Sequence, residues 1–365
     1  MTSDEVPRRR ARARRLVLAL VTAGLLPVLL AGAGFIILLG ENVGSLPSTV
    51  PVSGHDGLWL GHAWVGGRRT PGDLDVLTAR LRQTGIRDVF VHVGPLSDDG
   101  SLDPALRPRA RWLLTALHHR RPSVRVQAWL GDLVGPRRLN LADPVTRRRV
   151  VHAAAQVLSE GFDGVHFDLE PVPSGDRGYL ELLTATHTLT RARHAVLSVA
   201  ADQIEPLPHL HSLQQWFSGR PHWWSAGYLH AVASRVDEIA VMTYDTGVPT
   251  AAAYSGYVRM QTGQAVTAVP PAVTLLIGLP AYHTGEPGHA GGETTAAAIR
   301  GVRLALGADP PRRPLGVALY ADYSATPADW AAYLTGWARP RNHACRPGQR
   351  ACPGGAIRSA ANSYR

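Results

Sequence analysis

The chain has 365 residues, 45% of them hydrophobic and 18% charged. That balance allows one large or two smaller domains with a full core and excludes a disordered chain. The formal charge is +10, and every basic residue other than histidine is arginine. Past the N-terminus the arginines form no cluster with interleaved aromatics, so a nucleic-acid partner is not expected.

Six arginines (Arg8, Arg9, Arg10, Arg12, Arg14, Arg15) against Asp4 and Glu5 give the first 15 residues a charge of +4. Leu16 to Leu39 then run 24 residues without a charge. A bilayer core needs about 20 apolar residues in a helix, and a secretory signal only about 7–15. Residues 16–40 are therefore expected to be an uncleaved, single-pass transmembrane signal-anchor. Pro27 is tolerable there, because a membrane helix accommodates a kink. Arginines collect on the cytoplasmic side. The expected topology is a cytoplasmic tail over 1–15, a span, a linker over 41–53 and an extracytoplasmic domain over 54–340.

Eight apolar runs follow, at 57–65, 87–94, 124–131, 163–170, 195–202, 236–245, 273–282 and 314–323. Between them lie stretches with helix start and stop signals, clearest at 71–85, 143–161, 174–194 and 326–337. Strands alternating with helices imply βαβ units and a parallel sheet. Eight units over this length predict an α/β fold of the (β/α)8 TIM-barrel type. An open doubly wound sheet would carry a Gly-rich phosphate loop after its first strand, and "HAWVGGRRT" has only a glycine pair. At the C-terminus, Cys345 and Cys352 are the only cysteines. In an oxidising compartment a close pair in a Pro/Gly loop reads as a disulfide, here in a tail over 341–365. Zinc would need two more ligands, and only His343 is near, so no metal and no cofactor is expected.

The fourth run, "GFDGVHFDLEP", places His166, Asp168 and Glu170 at alternate positions, hence on one face of a strand. Active sites of such barrels sit at the C-terminal strand ends. Glu170 is the last residue before Pro171, which cannot continue the ladder. The other strand ends supply His62, Trp64, His92, Trp129, Asp202, Met242, Tyr244, Tyr282, Tyr320 and Asp322. Aromatic rings around central carboxylates suit a sugar site. Glycoside cleavage needs an acid for the leaving oxygen and stabilisation of a positively charged ring. Two neighbouring carboxylates hold one proton up toward neutral pH. That casts Glu170 as the acid and Asp168 as its helper.

These residues resemble glycoside hydrolase family 18, the chitinase-like family, whose fourth strand reads F-D-G-hydrophobic-D-hydrophobic-D-aromatic-E. Phe162, Asp163, Gly164, Val165, Phe167, Asp168 and Glu170 match. The family's M-x-Y-D is similar to Met242–Asp245, and its G-hydrophobic-P-x-Y to Gly278–Tyr282. The resemblance implies that Glu170 is the general acid/base and that Asp168 orients the substrate's own 2-acetamido group as internal nucleophile. It also implies that Tyr244 hydrogen-bonds that group, with Asp245 lining the site and Tyr320 flooring it. Met242, Trp64, Trp129 and Tyr282 complete the expected substrate contacts.

The chain departs from the pattern at His166, where the family has the first Asp of its inner triplet, and at Leu169, where it has an aromatic. His166 is expected to contact substrate, or to donate to Asp168 and hold it ionised. The expected function is a membrane-anchored, extracytoplasmic glycosidase for a β-linked glycan with 2-acetamido sugars, such as peptidoglycan, a chitin-like polymer or an exopolysaccharide. The alternative is a catalytically silent, lectin-like barrel.

Overall fold

The computed structural model describes residues 29–47, 54–208, 210, 223–283, 289–307 and 311–338. Eight parallel strands close a barrel: β1 (Gly57–Leu60), β2 (Asp88–Pro95), β3 (Arg125–Leu133), β4 (Gly164–Glu170), β5 (Val196–Ala201), β8 (Glu238–Met242), β9 (Thr274–Pro280) and β10 (Leu315–Tyr320). They follow one another around the barrel in chain order, and β10 closes on β1. Each coincides with one of the eight apolar runs. Two short strands, β6 (Gln203–Ile204) and β7 (Trp223–Trp224), pair with each other in the connection from β5 to β8.

Helices cover the outside. α2 (Pro71–Thr84) starts on a Thr70/Asp73 capping box and stops at Gly85. α4 (Pro144–Glu160) starts on Asp143 and stops at Gly161, and α5 (Arg177–Ala192) starts on Asp176. α9 (Pro327–Tyr333) repeats the capping box with Thr326 and Asp329. Each such cap satisfies N–H groups that the first helical turn leaves unpaired. α3 (Ala110–Arg120), α6 (Ala226–Ala233), α7 (Ala251–Ala268) and α8 (Thr295–Leu306) complete the ring. These four lacked a clear sequence signal. In α7 the small residues Ala251, Ala252, Ala253, Gly256 and Gly263 blur any period of 3.6.

The outward side chains of the strands, such as Val165, Phe167 and Leu169 of β4, are buried under the helices. The inward ones fill the barrel in layers, as this architecture requires. The lowest layer is polar: Arg125 donates to Asp88 and Glu238, and the Gln127 amide donates to both. Above it sit Trp59, Phe90, Ala240, Leu276 and Ala318.

The expected linker is in part a strap. α1, spanning 29–41, ends against α7, where a Cβ on Gly256 would overlap the Leu38 carbonyl. Arg259 then donates to the Glu41 carbonyl (2.7 Å), Arg300 to the Asn42 side chain (2.8 Å) and Arg303 to the Pro47 carbonyl (2.5 Å). Residues 41–47 are therefore fixed on the barrel and are not a free spacer. Among the described residues no helix is long and apolar enough to cross a membrane. Residues 1–28 and the Cys345–Cys352 pair lie outside the described residues.

Candidate active site

β4 carries the centre of the site. Its inward residues rise from His166 through Asp168 to Glu170, where the strand ends. The β4–β5 register sets Phe167 opposite Val199. The pairing ends there, and Asp202, just past β5, lies close enough to Asp168 and Glu170 for their charges to act on one another. Three carboxyls thus share the barrel mouth. Asp168 Oδ1, Glu170 Oε1 and the Tyr244 hydroxyl are all buried and have no hydrogen-bond partner. Buried polar groups are rarely left unpaired, and such groups facing a cleft are what a substrate satisfies.

Burial and crowding set the proton affinities. Burial first, then the charges of Asp168, Asp202 and Asp245, hold the Glu170 carboxyl well above the ordinary range. Burial lifts Asp168 to about 6, with the Trp129 indole and the Glu170 carboxyl pulling the other way. Burial and Asp168 together lift Asp202 to about 7. Glu170 is thus the carboxyl on which more neighbouring charges favour a proton and Asp168 the one whose neighbours favour ionisation, the division that acid catalysis beside a charged helper needs.

Aromatic rings wall the carboxyls. Tyr320, at the end of β10, stacks on Tyr244 at 5.3 Å between centroids. Tyr282 stands edge-on to both rings, at 5.8 Å from Tyr244 and 5.7 Å from Tyr320. Its hydroxyl donates to Asp245 Oδ1 at 2.6 Å. Trp129, inward on β3, meets Tyr320 at 6.1 Å and His92 at 4.8 Å. Trp129 and Tyr320 also line an open cleft of about 720 Å³, together with His62, Arg68, Arg69 and His92. Burial holds His92 down at about 4, so it is neutral.

The structure therefore gathers Glu170, Asp168, Tyr244, Asp245, Tyr282, Tyr320 and Trp129 at one mouth. Met242 ends β8 beside them, level with Gly278. Two expected contacts are not made. His166 is fully buried and its ring nitrogens are taken, one accepting from the Trp59 indole (3.1 Å) and the other on Ser198 (2.7 Å). It neither reaches the cleft nor donates to Asp168. Trp64 follows β1 in a short 3-10 turn, 3% exposed, and its indole donates to Asp322 at 2.8 Å. It braces the β1 and β10 ends, with Arg69 against its ring, and does not line the cleft that Trp129 and Tyr320 share.

Two residues to which the sequence assigned no role matter. Asp202 joins the carboxyl cluster; its position at the end of the fifth apolar run was the available signal. Glu293 accepts the backbone N–H groups of Asp245, Thr246 and Gly247 at 2.7, 3.0 and 2.9 Å. It thereby holds Asp245 in a left-handed conformation (φ 57°) that takes the chain out of β8 at Met242, short of the expected residue 245. Asp245, His289 and Glu293 bring possible ligand atoms within 4.8 Å of one another. Glu293 Oε1 accepts from Thr246, Gly247 and Ala290 and Oε2 from Asp245, so Glu293 anchors the loop that follows β8.

No protein-family profile matches the sequence, and no curated protein matches it. The fold, however, is similar to solved structures. A chitinase from Chromobacterium violaceum ATCC 12472 is 15% identical with a TM-score of 0.54, over 78% of this chain and 99% of that one. The spore cortex-lytic enzyme SleL of Bacillus megaterium QM B1551 is 15% identical with a TM-score of 0.54, over 76% of this chain and 73% of that one. A class V chitinase from Pseudomonas fluorescens Pf-5 is 14% identical with a TM-score of 0.52, over 77% and 99%. At these identities the likeness is one of fold, a (β/α)8 barrel of the kind chitinases use.

Proposed function

We propose that the chain is a glycoside hydrolase that cleaves β-linked glycans containing 2-acetamido sugars, with the substrate's acetamido group as the internal nucleophile. Glu170 protonates the leaving oxygen and later takes a proton from water. Asp168, ionised beside it, orients the acetamido nitrogen and balances the charge that forms on that group. The free Tyr244 hydroxyl binds the acetamido oxygen. Tyr320 stacks on the apolar face of the sugar ring, and Trp129 closes its flank. The observation that carries this reading is the buried pair Asp168 and Glu170, each with one oxygen (Oδ1 and Oε1) left without a hydrogen-bond partner, beside the Tyr244–Tyr320 stack. A lectin-like barrel has no need of a buried carboxyl whose proton affinity is raised at its centre, and Glu170 is raised by burial and by the charges of Asp168, Asp202 and Asp245. The structures of similar fold are those of chitinases and a spore cortex-lytic enzyme, which agrees with a substrate of this class.

The same reading places the enzyme on the outer face of a membrane, with residues 1–15 cytoplasmic and 16–40 spanning. Support comes from the uncharged run behind six arginines, and from α1, on which Leu29, Leu30, Ile36 and Ile37 are 61–69% exposed.

Hydrolysis of chito-oligosaccharides before and after chemical N-deacetylation tests the mechanism. Cleavage of the acetylated strand, with a loss of at least about a hundredfold on the deacetylated one, is expected, because the internal nucleophile is gone. Equal cleavage of both would remove substrate assistance.

A further inference from the structure

The carboxyl cluster fills only part of the barrel mouth. The 720 Å³ cleft beside it shares Trp129 and Tyr320 with the site, so a glycan held at Glu170 extends into it. The turn between β1 and α2 contributes His62, Arg68 and Arg69 to its lining. Tyrosine hydroxyls aside, every ionisable group lining the cleft is basic, and among the described residues no carboxylate lines it. This contrasts with the carboxyl cluster a few ångströms away.

The two arginines differ in how they are held. Arg69 lies against the Trp64 ring at 5.2 Å, and its guanidinium stands 3.7 Å from Asp73 and 3.7 Å from Asp322. Both separations exceed hydrogen-bond length, so Arg69 is steadied without being tightly neutralised. The Arg68 side chain is exposed and makes no hydrogen bond or ion pair among the described residues. Its backbone, however, is fixed. Arg68 N–H donates to the Ala63 carbonyl at 3.2 Å, Gly66 N–H to His62 at 2.9 Å, and Arg109 N–H to Val65 at 2.9 Å. An ordered turn thus presents an unpaired guanidinium at the edge of a sugar-sized cleft. A guanidinium matches a carboxylate with two parallel N–H donors, and a neutral sugar offers it no such partner.

We propose that this cleft reads a carboxylate on the sugar next to the one held at Glu170, and that the natural substrate is an acidic glycan. The inference rests on the hydrolase reading and narrows its substrate class. The carboxylate has two plausible sources, a lactyl ether on an amino sugar or a uronic acid.

The test is binding and cleavage by the full-length chain on four probes. These are peptide-free strands of alternating N-acetylglucosamine and N-acetylmuramic acid, the same strands with their carboxyls amidated, hyaluronan oligosaccharides, and chitohexaose. The wild type is expected to bind one of the two carboxylated probes at least about tenfold tighter than the amidated strand or chitohexaose, the scale of one hydrogen bond to a charged group. Whichever probe is preferred identifies the source of the carboxylate. Arg68→Ala is expected to collapse that ratio, and Arg68→Lys to keep part of it. Equal binding of amidated and carboxylated strands, or an unchanged ratio in Arg68→Ala, would overturn the inference. Cleavage of every probe at equal rates would overturn it too and leave the hydrolase standing. Preferential binding without cleavage would do the reverse.

Discussion

The indole N–H of Trp59 donates to Nε2 of His166 across the barrel interior, at 3.1 Å. This one bond fixes the imidazole tautomer. Nδ1 must then carry the proton and donates to Ser198 Oγ at 2.7 Å, and Ser198 in turn donates to Gln127 Oε1 at 2.7 Å. Gln127 passes the chain down to Asp88 and Glu238. Phe90 stacks on the imidazole at 4.0 Å. His166 is thus the middle of a polar spine below the carboxyls. It is a support for the site and not a member of it.

Replacing His166 by Asp, the residue of the family pattern, is therefore expected to cost stability. The shorter acidic side chain leaves the Trp59 indole and Ser198 without partners and puts a carboxyl against the Phe90 ring. Urea unfolding should show a loss of about 2–4 kcal/mol, the scale of buried groups losing their hydrogen bonds. A His166→Asp chain as stable as the wild type would show that the spine is not structural.

The spine also has a pH signature. Burial holds His166 down at about 3, against 6.5 for an exposed histidine. Between those values the unfolded chain binds a proton that the native one refuses, so this group's contribution to stability falls as pH drops through that window. His166→Gln, which cannot titrate, should show a shallower fall in stability below pH 6.5 than the wild type. Parallel curves would contradict a neutral, buried imidazole.

Asp202 works in the opposite direction. Its folded value is about 7 against 3.8 unfolded, so the native state keeps a proton that the unfolded state has lost, and stability falls as pH rises between the two. Asp202→Asn removes that cost. The variant should gain on the wild type steadily from pH 4 to pH 7 in thermal melts. Because one of the charges that keep Glu170 protonated is gone, it should also lose activity earlier as pH rises. A stability difference independent of pH would place Asp202 outside the buried cluster.

At the opposite end of the barrel, Arg125 pairs with Asp88 and Glu238, 0% and 1% exposed; burial and then Asp88 lift Glu238 to about 8, so Asp88 is the charge that Arg125 compensates near neutral pH. Arg125→Met should cost about 3–5 kcal/mol, the penalty for stranding a buried charge, with little change in the pH dependence of catalysis. A small cost measured by denaturant titration would mean that water reaches the barrel floor.

The sequence discloses the barrel because each strand is an apolar run whose polar residues gather at its C-terminal end. Asp168, Glu170, Tyr244 and Tyr320 were readable for that reason. What escaped depends on partners far along the chain. His166 is 107 residues from Trp59, and Trp64 is 258 residues from Asp322, so neither residue's true role is visible in its own strand. Asp202 stood at a legible strand end, but only the closure of β5 beside β4 in the barrel brings it near Glu170. The strap over 41–47 had the composition of a linker. Its fixation comes from Arg259, Arg300 and Arg303, on helices that the local pattern did not announce.

Activity itself should follow a bell-shaped pH profile. It rises as Asp168 ionises near pH 6 and falls as Glu170 gives up its proton at higher pH. The two limbs belong to the coupled carboxyls together and not to single residues. A rate that keeps rising toward alkaline pH would exclude Glu170 as the acid.

The most direct test of the account is kcat/KM for glycan hydrolysis by the full-length chain, wild type against Glu170→Gln. The amide keeps the size of the side chain and removes the transferable proton. Cleavage by the wild type and a loss of at least about a hundredfold in the variant, the scale of a missing general acid, is the predicted result. Equal rates, or binding by both proteins with cleavage by neither, would contradict it and leave the barrel a receptor.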